Sequence, residues 1–102
     1  MTNQEKIKII QSLLDEQRVE LFYEAMENMG DGKSNYRDYM ITGPIKCDEE
    51  LKRVPDADYE LCTALLTMLL REDHFSNGSF ERRAQNGEVR PLLEKMIDLL
   101  AV

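Results

Sequence analysis

Apolar side chains recur every three or four positions through most of the chain, the spacing that gathers them on one face of an α-helix. Thr2, Asn3, Gln4 and Glu5 open this pattern as a capping box, in which a threonine oxygen and a glutamate carboxylate satisfy free backbone amides. Ile7, Ile10 and Leu14 follow on one face, so a first helix is expected over residues 3–14. Val19, Phe22, Met26 and Met29 form a second stripe, with Gly30 as a left-handed stop. The pattern leaves open whether the first helix bends or runs on through Asp15, Glu16 and Gln17.

Turn-forming residues then fill Asp31 to Asn35, and the tyrosines of Tyr36 to Thr42 fit a short helix better than a strand, ended by Gly43 and Pro44. A further short helix is expected over Cys47 to Arg53, with Asp48, Glu49 and Glu50 near its positive end and Lys52 and Arg53 near its negative end. Beyond Pro55, Asp56 or Asp58 caps a helix containing Tyr59, Leu61, Cys62, Leu65, Leu66, Met68, Leu69 and Leu70. Only a narrow polar edge of Glu60, Thr63, Thr67 and Arg71 remains.

A helix apolar on most sides has to be surrounded. Ser76 or Asn77 starts a short helix that runs through Gln85 and stops at Asn86 and Gly87, and Pro91 fits the first turn of a last helix. The predicted fold is therefore all-α: a compact bundle of five to six helices around a central apolar helix, residues 57–71, with the first two and the last helices covering its faces. With 102 residues and no linker-like stretch, one helical domain over 1–102, about 13 Å in radius, is expected.

Charge adds an asymmetry. The net charge is −7, which disfavours nonspecific attraction to nucleic acid or an anionic membrane. Residues 1–60 hold 8 basic and 14 acidic side chains, whereas residues 61–102 hold 5 and 6, so the acidity belongs to the N-terminal part. No apolar run approaches the roughly 20 residues that span a bilayer, the first ten residues lack the order of a signal peptide, and two cysteines are too few for a disulfide framework. A cytoplasmic protein is the expectation.

Candidate chemistry concentrates between Arg71 and Gly87. Glu72, Asp73 and His74 bring two carboxylates and the only histidine together, but three adjacent helical residues diverge, and no remote carboxylate completes an acid–base set. Cys62 sits among leucines as a small hydrophobe, and the acids after Cys47 raise rather than lower its thiol pKa, so neither supports a redox or zinc site. No phosphate-binding loop, His-Glu-x-x-His pattern or serine elbow occurs. Neither a catalytic residue nor a cofactor or metal site is expected.

Arg71, Arg82, Arg83 and Arg90 are candidates for a binding patch, since guanidinium groups hold phosphate or carboxylate bidentately; pairing with Glu81, Glu88, Glu94 or the acidic N-terminal part is the competing reading. A helix-turn-helix is disfavoured by a connector read as Glu72 to Asn77. Phe75 and Phe80 are expected to pack this corner into the core. Glu16, Glu20, Glu24 and Glu27 align along one edge of the second helix, as a docking strip for a basic partner or simply a solvated face.

The run LCTALLTMLLREDHFSNGSFERRAQNGEVRPLLEKMI, residues 61–97, resembles a bacterial family of small helical domains of unknown function. The resemblance rests on an apolar helix followed by Arg-x-Asp-x-Phe-x-x-Gly-x-Phe, here Arg71, Asp73, Phe75, Gly78 and Phe80, and then a helix ending at Gly87. It covers the C-terminal half, with a loose helical likeness before it, and implies a helical fold of bacterial or phage origin. It carries no activity.

The functional expectation is a noncatalytic protein-interaction module that binds a protein partner or a second copy of itself. The candidate surfaces are the Glu16, Glu20, Glu24 and Glu27 edge and the corner of Arg71, Asp73, His74, Arg82 and Arg83. The alternative is a small-ligand or nucleic-acid-binding protein that uses the Arg71 to Arg83 corner.

Overall fold

A computed structural model describes the chain over residues 1–102. Six α-helices run in the order α1 (Asn3–Asp15), α2 (Val19–Met29), α3 (Cys47–Leu51), α4 (Tyr59–Phe75), α5 (Ser79–Gln85) and α6 (Arg90–Leu100). Single turns of 3-10 helix lie at Tyr36–Tyr39 and Val54–Asp56, there are no strands, and the radius of gyration is 12.5 Å. The fold is the all-α globule the periodicity predicts.

Local chemistry sets the helix ends. Thr2 Oγ1 accepts from Glu5 N at 3.2 Å while Glu5 Oε1 accepts from Thr2 N at 3.0 Å, closing the capping box. The chain breaks at Glu16 to Arg18, so α1 and α2 are separate helices. Gly30 ends α2 at φ 68°, a left-handed conformation that a Cβ would strain. Asp58 caps α4 by accepting from Leu61 N at 2.8 Å.

The core is layered. Cys62 through Leu66 and Met68 through Leu70 of α4 are all buried, as are Leu92, Leu93 and Met96 of α6. Helix α6 packs between α4 and α1, whereas α1 rests chiefly on α6 and secondarily on α2. The expectation that α1 covers a face of the central helix is thus corrected: the wide apolar face of α6 occupies that position and presents its other flank to α1. Asn3 Nδ2 donates to the Leu100 carbonyl at 3.4 Å, and Arg90 Nη2 donates to the Leu14 carbonyl at 3.3 Å. Opposite ends of α1 and α6 meet, so the two helices are antiparallel. Phe22 of α2 and Phe80 of α5 meet edge to face at 4.6 Å in the core.

The central helix ends at Phe75 and not at residue 71, and α5 begins at Ser79 instead of Ser76 or Asn77. One residue explains both shifts. Asp73 is turned inward, and its Oδ1 accepts from Gly78 N at 3.1 Å and Phe80 N at 3.0 Å, capping α5 from the preceding helix. Gly78 makes the intervening turn at φ 90°, which only glycine adopts without strain. The connector is therefore three residues, Ser76 to Gly78, which corrects the longer one expected from sequence.

Asp73→Ala is expected to lower stability by about 1–2 kcal/mol, the range for a lost cap with buried amides left unsatisfied. Urea unfolding together with faster amide exchange at Gly78 and Phe80 measures this. Unchanged exchange at both would show that the cap contributes nothing.

Candidate functional site

Around the last turns of α4, successive residues point about 100° apart and so serve different surroundings. Asp73 faces inward to its cap, and His74 is exposed on the outer side. Met68, Arg71, Glu72 and Phe75 share the remaining face at helical spacing. That face lines a groove of about 600 Å³ whose opposite wall is the segment from Tyr36 to Cys47, contributing Tyr36, Arg37, Thr42, Gly43, Pro44 and Ile45. A second concavity, of about 660 Å³, lies alongside and shares Tyr36, Arg37 and Arg71.

The wall opposite α4 is held by a carboxylate the sequence reading did not single out. Glu50 on α3 has 0% relative exposure. Its Oε2 accepts from Ile41 N at 3.0 Å, Thr42 N at 2.7 Å and Thr42 Oγ1 at 2.5 Å. Its Oε1 accepts from Arg53 Nη1 at 2.8 Å, and the same nitrogen donates to the Tyr39 carbonyl at 2.8 Å. Burial opposes ionisation of Glu50, but the bonds from Thr42, Arg53 and Ile41 together hold its carboxyl below the usual range. Its only sequence clue was an acid three residues before an arginine in a helix start already rich in acids.

Arg83, expected at a binding surface, is a structural hub with 15% side-chain exposure. It pairs bidentately with Glu72 at 2.7 and 2.8 Å, and its Nη1 reaches Asp48 at 2.5 Å and Glu88 at 2.7 Å. These contacts join α4, α3 and the turn before α6 to α5. The hydrogen bonds from Arg83 hold the Glu72 carboxyl below its ordinary pKa despite its burial. Cys47 sits beside this ion pair; burial first, and then the Glu72 charge, push its thiol up to about 12. Burial likewise raises the Cys62 thiol to about 11.

The remaining predicted site residues disperse. Arg71 lines the groove, whereas Arg82 and His74 are exposed away from it and Asp73 serves the fold. Glu20, Glu24 and Glu27 are exposed on α2, but Glu16 lies in the break before that helix and pairs with Arg18 at 3.0 Å, so the expected four-residue edge is shortened to three. Phe75 contradicts its predicted burial, with 75% exposure at the groove. The reason is the longer α4: extending the helix past residue 71 carries Phe75 one turn beyond Arg71 on the groove-facing side, while Phe80 alone enters the core.

Two guanidinium groups without ion-pair partners meet at the groove. Of the seven arginines, Arg18, Arg53, Arg83 and Arg90 carry ion pairs and Arg37, Arg71 and Arg82 do not. Two of these three line the groove. Its one carboxylate, Glu72, is already committed to Arg83. The arrangement can hold an anion beside an apolar group; no three His, Cys, Asp or Glu side chains are grouped to hold a metal ion.

Fold and groove together define a small all-α protein with a preformed, cationic and partly apolar cleft beside its central helix. The chain belongs to a family of unknown function, DUF6508, whose model matches residues 2–101. It matches no curated protein and no solved structure. No helix is long and apolar enough to cross a membrane.

Proposed function

We propose that the protein is a noncatalytic interaction module, cytoplasmic and of bacterial or phage origin, whose protein partner docks in the groove between α4 and the Tyr36 to Cys47 segment. The observation that carries this reading is the exposed Phe75 ring on α4, in one groove with Arg37 and Arg71, neither of which is in an ion pair, and facing a wall held by Glu50. Aromatic and arginine side chains dominate the energetics of protein interfaces, and a preformed surface loses little entropy on binding. Ile41, 70% exposed next to the groove residue Thr42, extends the apolar edge.

A photoreactive phenylalanine analogue at position 75 tests the reading in the native host. A discrete covalent protein adduct is expected from position 75, absent from the same label at exposed Gln11 on α1, and diminished by Arg71→Glu. Equal labelling from both positions, or none from position 75, would sink it. The groove volume, within the range of small-molecule pockets, supports a small anionic ligand as the second reading. Native mass spectrometry showing a bound small molecule that Arg71→Glu removes would favour that alternative.

A further inference from the structure

We infer that the groove recognises an acidic–apolar segment of its protein partner: a carboxylate held by Arg37 and Arg71, with an apolar side chain against Phe75 and Pro44. This rests on the reading of a protein partner given above and names the chemistry that partner presents. Arg71 and Phe75 are four residues apart on α4 and both line the groove, so a cation and an apolar ring stand one helical turn apart, about 5–6 Å between Cβ atoms. In an extended peptide, side chains two positions apart share a face at about 6.6–6.8 Å. The spacing fits Glu-x-Leu or Asp-x-Leu in an extended segment.

Charge selects the same ligand. Glu72 is committed to Arg83, so the groove's charges without an ion-pair partner are the guanidinium groups of Arg37 and Arg71; Arg37 donates from Nε to the Tyr36 hydroxyl at 3.4 Å, which leaves its terminal nitrogens to meet carboxylate oxygens. A nucleic acid would bring a phosphate roughly every 1.7 Å of duplex to a body of net charge −7. A peptide with one carboxylate and an apolar neighbour meets the local cations without that long-range repulsion.

The opposite wall is built for binding without rearrangement. Glu50 fixes the Ile41 and Thr42 amides at the edge of the groove, and Arg53 ties the same carboxylate to the Tyr39 carbonyl. Arg37 is therefore presented from a braced segment and Arg71 from the last turns of the longest helix, whose end is capped onto α5 through Asp73.

The full chain, labelled with nitrogen-15, is titrated with the acetylated and amidated peptide Ala-Glu-Ala-Leu-Ala, its Gln version and its Leu-to-Ala version. Shifts confined to residues 36–45 and 68–75 are expected, with millimolar affinity for the first peptide and at least fivefold weaker binding for each of the others. Arg71→Gln should weaken the Glu peptide at least fivefold while leaving the Gln peptide unchanged, and an unaltered thermal midpoint shows that the fold is intact. Equal binding of the Glu and Gln peptides, shifts elsewhere, or no shifts at 10 mM peptide overturns the inference. A partner that crosslinks at position 75 yet ignores Arg37→Gln and Arg71→Gln would overturn this recognition chemistry and leave the interaction module standing. Absence of crosslinking would remove the module itself.

Discussion

Glu50→Ala is expected to lower the stability of the whole domain by about 2–4 kcal/mol, because truncating one partner of a buried ion pair strands the other charge and leaves its hydrogen-bond donors unsatisfied. The donors are specific: the Ile41 and Thr42 amides, the Thr42 hydroxyl and the Arg53 guanidinium. Arg53 retains some solvent contact and the Tyr39 carbonyl, which keeps the loss below that of a fully interior pair. Urea unfolding followed by circular dichroism measures the change. Hydrogen exchange should show the Ile41 and Thr42 amides opening before the helices do, since the loop loses its only carboxylate clamp. Glu50→Gln should fall between wild type and alanine, because an amide keeps the side-chain shape but offers one acceptor oxygen in place of two. If alanine leaves both stability and exchange unchanged, Glu50 does not brace the groove.

Sequence periodicity resolves what neighbouring residues decide. The Thr2–Glu5 capping box, the Gly30 stop and the apolar breadth of α4 all depend on side chains within one or two helical turns, and these features appear in the structure where the pattern places them. Non-local partners redistribute the rest. Asp73 and Phe80 are seven residues apart, yet their hydrogen bond relocates the start of α5. Arg83 meets Asp48 across 35 positions, turning a surface candidate into a hub. The groove is harder still to read, because Arg37 and Arg71 approach it from different elements and one of them belongs to a turn with no apolar period. An exposed Phe75 was legible only once the end of α4 was known: before residue 71 the helix is buried nearly all round, so its apolar character gave no sign that the last aromatic points outward.

Arg83→Met is expected to cost about 2–3 kcal/mol at pH 7, less than a fully buried pair would, because Glu72 and Glu88 keep partial access to solvent and Asp48 is largely exposed. Methionine retains most of the apolar stem, so the difference reports mainly on charge. Its pH dependence follows from Glu72. In the wild type, Arg83 depresses the folded-state pKa of that carboxyl below its unfolded value. The resulting stability is fully present above about pH 4.3, the ordinary glutamate value, and is lost as pH falls through the folded-state pKa. Without Arg83 the largest cause of the depression is lost, and protonation relieves the repulsion among the stranded carboxylates. The stability gap between wild type and variant should therefore be widest near neutrality and narrow below about pH 4. Urea midpoints at pH 7, 5, 4 and 3 measure this. A gap that stays constant over that series would show that Arg83 joins α3, α4 and α5 through packing and not through its charge.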